Sequence, residues 1–144
     1  MKHRTLSTLT MLSLLLILTV GTVSAQSERI GVINIPFNFI IGQKILPAGE
    51  YTIRPNQTDS KTVWLVQGND TQAGAFFLTI PVLASEKQEK TRLVFHKYGD
   101  QYFLSQIWIP GDNSGRELSM PRQERELAKN TTERGKVSLT ARRR

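Results

Sequence analysis

From Ile33 to Ile41 the chain alternates. Ile33, Ile35, Phe37, Phe39 and Ile41 share one parity, while Asn34, Pro36 and Asn38 take the other. A period of two belongs to an extended strand, whose successive side chains point to opposite faces. The run therefore predicts a strand with one buried face and is incompatible with a helix. Pro36 has no N–H to give to a ladder, so the strand lies at an edge or bends at that residue.

The rest of the chain repeats this economy. Leu46-Pro47-Ala48-Gly49 has the composition of a tight turn, with proline presetting the first position and glycine able to close it. Tyr51 and Ile53 open a second strand. Lys61 to Gly68 makes a third, apolar on both faces around Val63–Val66, which suits a central place in a sheet. A fourth places Phe76, Leu78, Ile80 and Val82 on one face. Thr91 to Pro110 reads as a hairpin turning at Gly99-Asp100, with glycine at the position that needs positive φ. Its register sets Tyr98 against Gln101, His96 against Phe103 and Phe95 against Leu104. One face then carries Leu93, Phe95, Tyr102, Leu104 and Trp108, and the other His96, Tyr98, Phe103 and Ile107. Aromatic residues lie on both, so the pattern leaves open which face is the core.

Six or seven short strands with no helical run between them predict an all-β fold. The expected form is an antiparallel meander closing as a small barrel, with a β-sandwich as the alternative, over residues 29–120. Pro121 then opens a short surface helix over 121–130, with Glu124 and Glu126 near its positive end. Residues 131–144 read as a basic disordered tail.

Residues 1–25 have the organisation of a secretory signal peptide. Lys2 and Arg4 precede the apolar run Met11–Val20, and Val23-Ser24-Ala25 supplies small residues for cleavage before Gln26. The apolar run is about half of the roughly 20 residues that span a bilayer. Export to the periplasm or the extracellular space is expected, with no transmembrane span after processing. Charge is distributed unevenly over the remaining chain. Residues 26–112 hold eight Lys+Arg and eight Asp+Glu, whereas residues 113–144 hold nine and four. The body is neutral and the basic character belongs to the C-terminal segment.

Chemistry is sparse. The chain has no cysteine, which excludes disulfides, thiolate metal sites and a thiol nucleophile. His96 is the one histidine beyond the leader, so no His- or Cys-rich metal site is expected, and no cofactor. Ser105 lies diagonal to His96 across the hairpin. The nearest acid in sequence, Asp100, sits at the hairpin tip and is badly placed to reach the far side of the imidazole. His96 therefore reads as a strand residue packed beside Phe103. The carboxylates Asp59, Asp70, Glu86, Glu89, Asp100 and Asp112 all fall in turns or loops. Tyr98, Tyr102 and Trp108 are candidates for a ligand-stacking platform. Arg134, Lys136, Arg142, Arg143 and Arg144 are candidates for contact with an anionic surface.

Pro36-Phe37, followed at fixed spacing by Leu46-Pro47-Ala48-Gly49, then Tyr98-Gly99-Asp100-Gln101-Tyr102-Phe103-Leu104, forms a recognisable pattern over most of residues 33–128. It resembles a family of short, signal-peptide-bearing proteins of unassigned function from soil bacteria. The resemblance implies export and a β-rich domain. It brings no activity, ligand or catalytic residue. The expectation is an exported, non-enzymatic β-domain that binds an envelope or extracellular polymer. The alternative is a small secreted hydrolase using loop carboxylates. Nucleic acid is an unlikely partner for an exported chain.

Overall fold

The computed structural model describes residues 31–56, 62–111 and 113–141. The signal-peptide segment 1–25 and Arg142, Arg143 and Arg144 lie outside the described residues. Among these residues the fold is all-β with one short helix near the C-terminus. Ten strands run in the order β1 (Gly31–Ile35), β2 (Phe39–Ile41), β3 (Lys44–Leu46), β4 (Gly49–Pro55), β5 (Val63–Gly68), β6 (Gly74–Leu83), β7 (Arg92–Tyr98), β8 (Gln101–Trp108), β9 (Ser114–Leu118) and β10 (Arg134–Thr140). Helix α1 (Arg122–Asn130) lies between β9 and β10.

The alternating run is one strand by pattern and two by pairing. β1 stops at Ile35 and pairs antiparallel with β4. β2 starts after Pro36 and pairs with β3 and, in parallel, with β8 at Ile40 and Phe103. Proline marks the place where the chain leaves one part of the sheet for another. Ile33, Ile35, Phe39 and Ile41 are nonetheless all buried in one core, and Phe37 packs against it. The turn after β3 is held from both sides. Asn38 Oδ1 accepts from the Ala48 N–H at 3.0 Å, and the Tyr51 hydroxyl donates to the Pro47 carbonyl at 2.7 Å.

The sheet runs β1-β4-β5-β6-β9-β8, with β7 and then β10 beyond β8. β7 pairs along the whole of β8, so β9 and β2 share the other edge of β8. β6 turns the corner: residues from Gly74 to Leu78 pair with β5, and those from Thr79 to Leu83 pair with β9. The inner faces of the two halves meet. Tyr51, Ile53 and Val66 from one half share a core with Phe39, Phe95 and Leu104 from the other.

Three expectations need correction. The sheet is mixed and does not close into a barrel. Its edges approach where Gly31 lies against Thr91 and Ala141, but among the described residues β1 ladders only with β4 and β10 only with β7, so the circuit stays open. The strand count rises because Pro36 splits the first strand, a three-residue β3 precedes the turn, and the tail adds β10. The tail is the third correction. Residues from Arg134 to Thr140 pair in full register with β7, from Arg134 opposite Tyr98 to Thr140 opposite Arg92. Val137 and Leu139 alternate with polar residues and pack against the core, which gives the segment a half-buried face.

The hairpin register agrees with expectation at all three pairs, and Gly99 has φ of 57°. Beyond Leu104 the ladder shifts, and Val94 faces Gln106. Ser105 is the extra residue of a β-bulge, which reverses the parity of the residues beyond it. Ile107 thereby joins Leu93, Phe95 and Leu104 in the main core, and Trp108 turns to the opposite face. Both faces of the hairpin are used. Ile40, Tyr98 and Phe103 form a second cluster under Leu127 and Ala128 of α1.

Ending the chain at Asn130 removes β10 and uncovers one edge of β7. Burial of Val137 and Leu139 alone contributes about 2 kcal/mol. The truncated chain should melt roughly 5–10 °C lower. Equal midpoints in paired thermal unfolding curves would show that β10 contributes nothing.

Candidate functional site

Helix α1 is mostly polar, and its sheet-facing side has only Leu127 and Ala128 as apolar contacts. Glu124 lies three and four residues before them, so all three share a face. Its side chain is directed at the sheet and the residue is 2% exposed. Arg122 and Glu126 pair at 3.0 Å on the solvent side. A carboxylate this deeply buried needs donors to replace water. β7 provides both. Glu124 Oε1 lies 2.6 Å from His96 Nδ1 and accepts from the Tyr98 hydroxyl at 3.2 Å. The far ring nitrogen is engaged as well, with Ser105 Oγ hydrogen-bonded to His96 Nε2 at 3.1 Å. The bulge places the Ser105 hydroxyl there.

The order hydroxyl, imidazole, carboxylate is that of a nucleophile triad. The acid is Glu124 from the helix, not Asp100 from the turn. Two features give the arrangement the character of a clasp. Ser105 is 4% exposed, so no substrate carbonyl reaches Oγ without displacing its neighbours. Glu124 also divides its oxygen between the imidazole and a phenol. With Nδ1 protonated the chain of bonds is satisfied in both the neutral and the charged ring. With Nδ1–H given to the carboxylate, Nε2 accepts from the serine hydroxyl when neutral and donates to Oγ when charged.

An open pocket of about 320 Å³ borders this clasp, lined by His96, Tyr98, Arg134, Gly135 and Lys136. Register explains its composition. Arg134 stands opposite Tyr98, and Lys136 opposite His96. Directly paired residues project from the same face of a sheet, so two cations flank the imidazole and the phenol. Burial pushes the Tyr98 phenol up from its ordinary pKa, and the Glu124 charge and hydrogen bond add to this, while Arg134 partly opposes it.

Two of the proposed anionic-surface residues, Arg134 and Lys136, thus meet one of the proposed aromatic residues, Tyr98. The other two aromatic candidates lie elsewhere. Tyr102 stacks on Phe37, with ring centroids 3.9 Å apart and Lys97 above it. Trp108 is buried, has the Arg92 guanidinium 5.7 Å from its ring centre, and lies so close to Gly115 that a β-carbon there would be 2.5 Å from the indole. Neither can join Tyr98 in a stacking platform. Of the loop carboxylates, Asp59 and Asp112 lie outside the described residues, and Asp70, Glu86, Glu89 and Asp100 lie in bends and turns. Among the described residues no three His, Cys, Asp or Glu side chains gather, and no helix is long and apolar enough to cross a membrane. Comparison with protein-family models, with curated proteins and with solved structures finds no match to this chain.

Glu124→Ala should destabilise the protein by about 2–3 kcal/mol, since it strands the Tyr98 and His96 donors and frees the helix. Urea denaturation measures this, and a change under 0.5 kcal/mol, of the size common for surface sites, would show that the clasp does not hold α1.

Stability should also fall in alkali. Tyr51 is raised like Tyr98, by burial, with a hydrogen bond from Thr71 opposing. A raised phenol stays protonated in the fold after it would ionise in the unfolded chain. Its contribution is therefore complete below the ordinary value of 10.0 and is lost as pH rises through the folded value. Tyr98→Phe should flatten part of that loss in denaturation midpoints taken between about pH 8 and 11.

Proposed function

We propose that this chain is an exported, non-enzymatic β-domain that holds an anionic polymer of the envelope or the extracellular space in the β7–β10 pocket. The observation that carries the reading is that Arg134 and Lys136 line one open pocket, opposite Tyr98 and His96 in the β7–β10 ladder. Two neighbouring cations suit carboxylate or phosphate oxygens, with charge-assisted hydrogen bonds stronger than neutral ones. Export rests on the leader-like residues 1–25 and on the family resemblance. The ring of Tyr98 is buried and its hydroxyl is given to Glu124, so the reading favours charge recognition over sugar stacking.

A second reading is a small secreted hydrolase. One observation favours it: the Ser105–His96–Glu124 chain of hydrogen bonds. Burial of Ser105 opposes it.

The test compares polygalacturonate, long-chain polyphosphate and neutral dextran as ligands, with binding followed by calorimetry. Polygalacturonate and polyphosphate distinguish the carboxylate and phosphate sources. Arg134→Ala with Lys136→Ala should weaken binding to the charged polymer roughly tenfold or more, and added salt should weaken it further. Dextran should not bind. Binding indifferent to both substitutions would remove the pocket from the reading. Ester hydrolysis that disappears in a folded Ser105→Ala variant would replace the reading with the second one.

A further inference from the structure

A second open pocket, of about 310 Å³, is lined by Lys97, Gly99, Glu133, Arg134 and Gly135. It shares Arg134 and Gly135 with the pocket beside the clasp. The two do not share a face. His96 and Tyr98 stand opposite Lys136 and Arg134, and Lys97 lies between them in β7, opposite Gly135. Successive strand residues point to opposite faces, so Lys97 faces away from His96 and Tyr98. The Gly99 N–H donates to the Glu133 carbonyl at 3.4 Å, which extends the ladder by one pair and sets Glu133 on the Lys97 face. The first pocket therefore lies on the outer face of the β7–β10 ribbon, the face under α1, and the second lies on the inner face. What parts them is the β10 backbone at Arg134 and Gly135.

That backbone is at an edge. Among the described residues β10 pairs with β7 alone. Its first pair has the Gly99–Glu133 bond, and at its far end the Ala141 N–H donates to the Thr91 carbonyl at 2.8 Å. These two bonds fix Glu133, Gly135, Val137, Leu139 and Ala141 as the residues bonded to β7. In an antiparallel ladder the residues between them turn their N–H and C=O groups to the other edge. The N–H groups of Arg134 and Lys136 thus point out of the sheet edge where the two pockets meet. Gly135 adds no side chain on the inner face there. A β-carbon at that position would have Lys97 Cβ as its one neighbour within 4 Å, at 3.9 Å.

We propose that the two pockets are the two ends of one groove, and that a linear polyanion lies in it bent over the edge of β10. The inference rests on the reading that the first pocket holds an anionic polymer, and it adds the kind: a flexible chain with acidic groups in series. One acidic group meets Lys136 and Arg134 on the outer face. The edge N–H groups donate to oxygens of the stretch that crosses, and the next acidic group meets Lys97 on the inner face. Glu133 borders that end and repels a further acidic group, which limits the groove to a short stretch of polymer. Three cations against one carboxylate leave the groove positive as a whole. A ligand of one or two charged units fills one pocket without reaching the other.

The test uses the full chain as purified from an exporting host and follows binding by calorimetry. Long-chain polyphosphate and polygalacturonate, which separate the phosphate and carboxylate sources, are compared with pyrophosphate and digalacturonate. Lys97→Met keeps the stem that lies over Tyr102 and removes the charge. It should weaken binding of the long polymer roughly two- to fivefold, the size of one exposed charge pair, and leave the short ligand unchanged. Lys87→Met removes the same charge at the other end of the β7–β8 hairpin, beside the bridge from Gln88 to Pro110, and should change neither. Gly135→Ile fills the passage. It should weaken the long polymer without lowering the thermal midpoint, because a β-branched residue suits a strand. Lys97→Met acting on short and long ligands alike, or on neither, overturns the groove. So does an equal effect of Lys87→Met, which reduces the result to net charge, or full affinity for the long polymer in Gly135→Ile. If Arg134→Ala with Lys136→Ala abolishes binding while Lys97→Met does not weaken it, the polymer stays in the first pocket and only its passage over the edge is lost. If neither polymer binds the unaltered protein, both readings fall.

Discussion

The buried carboxylate of Glu124 organises the C-terminal third of the molecule. Its helix has too little apolar surface to hold the sheet by packing alone. The carboxylate bonds instead to donors on β7, and that fixes where α1 lies. The helix ends at Thr131, whose N–H donates to the Leu127 carbonyl, and the chain enters β10 three residues later. The position of the helix therefore sets the start of β10, and the register of β10 sets Arg134 and Lys136 beside Tyr98 and His96. A single desolvated charge links helix docking to the composition of the pocket, because water is not there to replace its partners.

Periodicity is the source of most that is legible in the sequence. The alternation from Ile33 to Ile41 identifies the core face although Pro36 divides the strand, because parity survives a bend. The Gly99-Asp100 turn fixes register over the neighbouring pairs because a short loop leaves no slack. Legibility stops at Ser105. A bulge is one extra residue with no composition of its own, and it moves Ile107 into the core and Trp108 out of it. The tail is obscured for another reason. Val137 and Leu139 do alternate with Lys136, Ser138 and Thr140, but the neighbouring basic residues mask a short amphipathic strand. Glu124 is the hardest case. An acid near the first turn of a helix is explained equally by the helix dipole. Only its spacing to Leu127 and Ala128 places it on the buried side, and nothing local in the sequence joins it to His96.

The two ends of the outer face show how one sheet surface supports different demands. Over β2, β7 and β8 it is closed by α1, and the polar groups beneath the helix are bonded to one another. Over β5 and β6 it is apolar and uncovered. The inner face needs no such distinction, since the two halves of the sheet cover each other through a continuous set of apolar side chains.

The parallel pairing of Ile40 with Phe103 has a kinetic consequence. The hairpins β2–β3, β4–β5, β5–β6 and β7–β8 join neighbours in sequence and close over short loops. The β2–β8 pairing must instead bring together chain segments separated by most of the domain, after the entropy of a long loop has been lost and before the contact repays it. Until it forms, Ile40 is missing from the cluster that lies under Leu127 and Ala128. The helix face and the β2–β8 seam therefore mature together and late, after the local hairpins exist. Among the described ladders that seam spans the greatest sequence distance and has the shortest register.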